Sequence, residues 1–127
     1  MIMAQRIRTI KPSFWSDEAV MGMTREARLL TIGLMSYADD DGRFVATMPA
    51  ICGYLFPGDD IKPAQFNRWL NEARDSGIIH LYTVRGVTYG CLPNWHKHQK
   101  MNRHTPSSLP EPDIICATRN FTSREDD

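Results

Sequence analysis

A stretch near the middle of the chain, residues 61–95, constrains the fold more than any other part. Its first half predicts a helix over residues 63–76, which Gly77 closes. One face of that helix is apolar, because hydrophobic side chains recur at i, i+3, i+4 and i+7: Phe66, Trp69, Leu70 and Ala73. The helix must therefore pack on a core along this stripe and leave its other face in solvent.

A β-hairpin is predicted directly after the helix. Its strands are residues 78–84 and 87–92, joined by the two-residue turn Arg85-Gly86. A helix that ends at glycine and leads into a tight hairpin is the order of elements in a winged helix-turn-helix, where the hairpin is the wing. The sequence thus predicts an α+β fold of this class, with a three-helix core and a small antiparallel sheet.

The elements before this segment complete the predicted domain. They are a short helix from Ser16 to about Met21, a helix from Thr24 to about Ala38, a strand over residues 43–46 and a helix from Thr47 to Leu55. The core they predict consists of Leu30, Leu34, Ile51, Leu55, Phe66, Trp69, Leu70, Ile79 and Leu81. We expect one domain over residues 16–100, an N-terminal arm over residues 1–15, and a Pro/Ser-rich linker and flexible tail over residues 101–127.

Composition argues against several classes of protein. The sequence has no apolar run of membrane-spanning length and no signal-peptide h-region, so we expect a cytoplasmic protein. Its cysteines, Cys52, Cys91 and Cys116, are odd in number and far apart, which fits a reducing compartment and not a disulfide scaffold. The common nucleotide-binding, hydrolase and metalloprotease motifs do not occur, so we expect neither an enzyme nor a cofactor.

Charge is balanced overall but segregated along the chain. With 15 basic and 15 acidic residues, attraction to nucleic acid must come from local clusters. Residues 1–16 and 81–110 contain no acid, and they hold Arg6, Arg8, Lys11, Arg85, Lys97, Lys100 and Arg103. Acidic residues gather at positions 39–41, 59–60 and 125–127. This segregation predicts one basic face on a neutral protein.

The polar face of the predicted helix suggests contact with double-stranded DNA, because Gln, Asn and Arg can make bidentate hydrogen bonds to base edges. The candidates for base edges are Gln65, Arg68 and Asn71. The candidates for phosphate are Lys62, Arg74, Arg85, Lys97, Lys100 and Arg103, with Arg6, Arg8 and Lys11 in addition. For each of these an ordinary solvated surface is the alternative, and Glu72 and Asp75 near the same face favour a protein-facing role.

One group of residues suggests a metal site by its residue types: Cys91, His96, His98 and His104. Thiol and imidazole groups are the usual zinc ligands, but these spacings do not match the paired spacing of structural zinc sites. We therefore expect no metal here, and histidines that stack or hydrogen-bond on a basic surface.

Four separated phrases resemble the N-terminal winged-helix domain, DnaD-like, of phage replication proteins of the replisome-organiser or helicase-loader type. They are residues 8–17 (RTIKPSFWSD), 26–30 (EARLL), 37–44 (YADDDGRF) and 93–99 (PNWHKHQ). The resemblance spans residues 5 to about 112, most of the chain. It implies a protein of the host bacterial cytoplasm that acts in replication initiation by binding DNA, by oligomerising, or both. In that family a second domain usually contacts the helicase machinery. This chain stops where that second domain would begin.

A protein-interaction module is the alternative function. In it the helix and hairpin surface, or Phe14-Trp15 with the Trp95 segment, docks onto a second copy or onto a host or phage replication protein. Such a module would oligomerise or inhibit a host factor without binding DNA itself.

Overall fold

The computed structural model of the protein describes residues 6–112. Within this range the chain forms six helices: α1 (Ser13–Ser16), α2 (Glu18–Met21), α3 (Arg25–Tyr37), α4 (Met48–Leu55), α5 (Pro63–Asp75) and α6 (Trp95–His98). The strands are β1 (Arg43–Val45), β2 (His80–Val84) and β3 (Val87–Cys91). The predicted mixed α+β class is confirmed. The parts of the predicted arm and tail at residues 1–5 and 113–127 lie outside the described range.

The helix starts are fixed by local side-chain chemistry. Thr24 caps α3, since its hydroxyl accepts a hydrogen bond from the Ala27 N–H at 3.2 Å. Asp17 caps α2 by accepting from the Ala19 N–H at 2.8 Å. The prediction that Ser16 caps this helix was wrong, because Ser16 is the last residue of α1. In α5, Pro63 occupies the first helical position, where its missing N–H costs no hydrogen bond.

The sheet has strand order β1-β3-β2, and both pairings are antiparallel. The β2–β3 hairpin turns at Arg85 and Gly86, whose φ angles are 53° and 81°. Positive φ at both central residues is what a type I′ hairpin turn requires. In the β1–β3 pair, Phe44 lies opposite Gly90, and a Cβ atom on Gly90 would stand 2.3 Å from Phe44 Cζ. Only glycine leaves room for the Phe44 ring there.

The core lies between α3, α4, α5 and one face of the sheet. Of the predicted core residues, those that are buried are Leu30, Leu34, Ile51, Phe66, Leu70 and Ile79. Leu55, Trp69 and Leu81 are partly buried and pack against this cluster. Among residues 6–112, no helix combines the length and apolar character needed to cross a membrane.

Residues 101–112 differ from the flexible linker that their composition predicts. The Tyr82 hydroxyl donates a hydrogen bond to the Pro110 carbonyl at 2.8 Å, and the Arg43 guanidinium donates to the Leu109 carbonyl at 3.2 Å. The segment therefore runs from the loop before β1, where Thr105 and Ser107 are bound, across the sheet to β2. Backbone carbonyls of the segment accept these hydrogen bonds, so the contacts need no apolar side chains. A search for apolar periodicity therefore does not detect them.

Candidate nucleic-acid interface

The exposed face of α5 is centred on Arg68 and Asn71. Both side chains are exposed, and they lie on the opposite side of the helix from the buried Phe66 and Ala73. Asn67 is exposed one turn before Asn71 and shares this face. The sequence pattern also places Asn67 on the polar face of this helix, but Asn67 was not among the predicted base contacts.

Gln65, a predicted base contact, is exposed at the start of α5 and also caps the helix. Its side-chain oxygen accepts a hydrogen bond from the backbone N–H of Lys62 at 2.9 Å. This bond satisfies one of the free N–H groups at the start of α5, as the glutamine of a capping box does. The Gln65 oxygen is therefore committed to the helix end, whereas Lys62 itself is exposed there.

Glu72 is turned away from the exposed face of α5. Its two carboxylate oxygens accept hydrogen bonds from the Thr24 N–H at 2.8 Å and from the Thr24 hydroxyl at 2.9 Å. Glu72 thus fastens α5 to the start of α3. Asp75 remains on the exposed side, where it pairs with Arg74 at 3.1 Å. This exposed pair contributes little to stability, but it offsets the Arg74 charge.

The basic residues after β3 are separated from the hairpin tip. Arg85 is exposed at the tip, and the five residues of β3 run from the tip toward α6. An extended strand of that length spans about 17 Å. The exposed residues Lys97, Lys100 and Arg103 therefore lie beyond the end of the hairpin opposite Arg85. The hairpin tip and the residues around α6 therefore carry separate candidates, and α5 carries a third set.

Two N-terminal arginines that were predicted as phosphate contacts pair with a buried aspartate. Arg6 Nε lies 3.0 Å from one oxygen of Asp40, and Arg8 Nη2 donates to the other at 3.1 Å. The Arg8 guanidinium also lies 4.9 Å from the centre of the Trp95 ring, in cation–π contact. The side chains of Arg8 and Asp40 are each only 4% exposed. The Asp40 charge offsets one of the two arginine charges, and the two ion pairs fasten the arm to the domain.

The environment of Asp40 favours its charged form. Burial alone would raise its pKa, but hydrogen bonds from the Thr105 N–H and Arg8, together with the positive charges of Arg6 and Arg8, hold the pKa below its usual value. Asp40 is therefore ionised at neutral pH, and it joins the N-terminal arm to residue 105 of the C-terminal segment.

The turn at residues 39–41 organises its own backbone, as predicted from its sequence. One oxygen of Asp39 accepts hydrogen bonds from the N–H groups of Asp41 and Arg43, both at 3.0 Å. Gly42 follows with φ of 77°, and a Cβ atom there would stand 2.7 Å from Trp95 Cγ. The Trp95 indole N–H donates to the Asp40 carbonyl at 2.8 Å. We call residues 39–42 the aspartate turn.

Two histidines converge on the aspartate turn. His104 Nε2 lies 2.8 Å from Asp41 Oδ1, and His96 Nε2 lies 3.3 Å from the same oxygen. The other two residues of the group that suggested a metal site lie outside this cluster. Cys91 is disulfide-bonded, and His98 lines a separate cavity. Asp41 is 63 positions from His104, so sequence spacing could not indicate this grouping.

Cysteine chemistry differs from the expectation of reduced thiols. The disulfide at Cys91 was not predicted. Cys52 is a free cysteine, half-buried on α4, and burial raises the pKa of its thiol. A raised thiol pKa means a low thiolate fraction at neutral pH, which does not suit a nucleophile.

A cavity of about 400 Å³ lies between the N-terminal arm, the end of α5 and α6. Its apolar lining includes Ile10, Phe14, Ile78, Leu92 and Trp95. The Trp95 ring itself is only 5% exposed, whereas His96 and Lys97 beside it are exposed. Trp15, by contrast, is 55% exposed.

The sequence and the fold were compared with known proteins. No family model, curated protein or solved structure matches this chain. We therefore infer a function from the geometry of the protein's own residues.

Proposed function

We propose that this protein binds double-stranded DNA as a winged helix and acts in the initiation of phage DNA replication. The order α3, β1, α4, α5, β2, β3 supports the proposal, since it is compatible with a helix-turn-helix followed by a hairpin wing. The observation that carries it is the exposed face of α5. This face presents Arg68, Asn71 and Asn67, and the helix leads directly into a hairpin with Arg85 at its tip.

In the proposed complex, α5 enters the major groove. Arg68 would bind the O6 and N7 atoms of guanine, while Asn67 or Asn71 would bind the N6 and N7 atoms of adenine. Lys62 at the start of the helix would contact phosphate, and Arg85 would reach phosphate or the minor groove. The Glu72 carboxylate is hydrogen-bonded to Thr24, which holds it on the α3 side of the helix.

One copy of the protein should bind DNA weakly at physiological salt. The net charge is zero, and Arg6 and Arg8 are used inside the fold. Few cations then remain to displace counterions from DNA, and affinity depends on how many phosphates are neutralised. Useful affinity would come from several copies bound to repeated sites.

A protein-interaction module remains the second candidate, and exposed apolar side chains on the first three helices favour it. Trp15, Met21 and Leu29 are 55%, 61% and 57% exposed. A second copy of the chain, or a host or phage replication protein, would cover them. Oligomerisation through these side chains is compatible with DNA binding through α5.

The DNA-binding proposal is tested with Arg68→Ala and Arg85→Asn. Arg68→Ala should cost about 1–3 kcal/mol of binding free energy on a preferred duplex. Arg85→Asn removes a cation, while asparagine accepts the positive φ of the turn, so the fold should be kept or slightly stabilised. Fluorescence anisotropy with labelled duplex measures affinity, and thermal melting followed by circular dichroism checks the fold.

Lys97→Ala provides the charge-matched control. Lys97 is exposed on α6, beyond the end of the hairpin opposite Arg85, so its loss should change affinity less than twofold. Arg85→Asn should also reduce the slope of log affinity against log salt by about 1, because one phosphate contact is lost. Unchanged affinity in the folded Arg68→Ala/Arg85→Asn double variant would contradict the proposal.

Glu72→Gln distinguishes a structural glutamate from one that repels DNA. The amide keeps one acceptor for Thr24 but loses the charge, so we expect a loss of about 1 kcal/mol of unfolding free energy in urea titrations. Duplex affinity should stay the same. If binding instead tightened several-fold at unchanged stability, Glu72 would be facing phosphate.

A further inference from the structure

We propose that Asp41, His96 and His104 form a binding site for one Zn²⁺ ion. One potential ligand atom from each of these side chains lies within 4.8 Å of the others. Two nitrogens and one oxygen are a donor set that Zn²⁺ takes with three protein ligands and a water in the fourth position. The site is independent of the proposed DNA-binding surface.

The distances fit an ion placed between the three side chains. Zn²⁺ holds nitrogen and oxygen ligands at about 2.0–2.2 Å, which puts tetrahedral ligands about 3.3 Å apart. The Asp41 oxygen is already 2.8 Å from His104 Nε2 and 3.3 Å from His96 Nε2. Rotation of the two imidazole rings, which are 63% and 40% exposed at His96 and His104, would complete the geometry without moving the backbone.

The second oxygen of Asp41 is held in place from behind. It accepts a hydrogen bond from the Ser107 N–H at 2.8 Å. Such outer contacts fix the orientation of a metal-binding carboxylate and leave the other oxygen for the ion. The arrangement therefore aims Asp41 Oδ1 at the two histidines.

Local charge does not oppose a dication. The carboxylates of Asp39, Asp40 and Asp41 lie together in the aspartate turn, and Arg6 and Arg8 are bound to Asp40. The Arg43 charge is one of those that act on Asp41 itself. An open cleft next to the site, lined by both histidines and Lys100, gives solvent access to the ion.

A Zn²⁺ ion here would link three parts of the chain. Asp41 belongs to the aspartate turn, His96 to α6, and His104 to the segment between α6 and the sheet crossing. The metal would therefore tie the C-terminal segment to the domain. Its expected signature is an increase in Tm that grows with Zn²⁺ concentration.

The test uses the full chain after treatment with a chelator. Isothermal calorimetry with ZnCl₂ should give one Zn²⁺ per chain, and Co²⁺ should give visible d–d bands that Zn²⁺ abolishes. His96→Ala and His104→Ala should each weaken binding about tenfold or more, since even outer-shell changes cost that much. Both side chains are well exposed, so these variants should fold.

His98→Gln is the matched control, because it changes a histidine of the same short helix that lies outside the cluster. It should keep one-to-one Zn²⁺ binding, the Co²⁺ bands and the Tm increase. The proposal is overturned if the wild-type chain gives no stoichiometric binding. It is also overturned if His96→Ala and His104→Ala bind Zn²⁺ as the wild type does.

Discussion

Replacing Asp40 with asparagine is expected to lower the free energy of unfolding by about 3–5 kcal/mol. The variant keeps the shape of the side chain but leaves the guanidinium of Arg8 buried without its counter-ion. An unpaired buried charge is far more costly than the loss of an exposed ion pair. Urea titration at pH 7 measures the change, with Asp60→Asn, which alters an exposed aspartate, as the control.

The same variant should change how stability depends on pH. The pKa of Asp40 in the folded protein lies below its ordinary value of 3.8, so the unfolded chain binds more protons near that pH. The contribution of Asp40 is therefore fully present above about pH 4–5 and is lost as pH falls through the folded pKa. Asp40→Asn should show a shallower loss of stability on acidification. An identical acid profile in both proteins would contradict this role.

Gly90→Ala is expected to destabilise the protein by about 1–3 kcal/mol, near the upper end of that range. A methyl group at this position would stand 2.3 Å from Phe44 Cζ and 2.5 Å from Phe44 Cε1. Phe44 is fully buried, so the ring can move only by displacing the core. The expected result is a lower Tm and a lower urea midpoint.

Gly53→Ala is the matched control for Gly90→Ala. Gly53 lies in α4, and no atom stands within 4 Å of a Cβ placed there. Alanine has the higher helix propensity, so this variant should gain about 0.5–1 kcal/mol. Equal effects of the two substitutions would show that the Phe44 contact does not determine the response at Gly90.

Local sequence pattern was sufficient for the helix and the hairpin at the centre of the fold. The apolar spacing in α5 and the turn at Arg85-Gly86 depend on residues a few positions apart, and both were predicted closely. The start of α2 was missed by one residue, since Ser16 and Asp17 are both good capping residues. Chemistry that is local in sequence is predictable in this way.

Long-range pairings were not predictable from the same patterns. Arg8 pairs with Asp40 at a sequence separation of 32 residues, and His104 contacts Asp41 at a separation of 63. As a result, Arg6 and Arg8, which looked available for phosphate, pair with Asp40 instead of standing free on the surface. Similarly, a segment with linker composition proved to be anchored by Asp40 and Asp41 through the N–H groups of Thr105 and Ser107.

The measurement that tests the central claim most directly is the affinity of the wild-type chain for labelled duplex DNA at two salt concentrations. Fluorescence anisotropy gives the affinity, and light scattering gives the mass of the free protein. DNA binding through α5 and the hairpin predicts duplex binding at low salt that weakens steeply as salt rises. Absence of duplex binding at low salt, together with a defined oligomer in solution, would contradict it and favour the protein-interaction module.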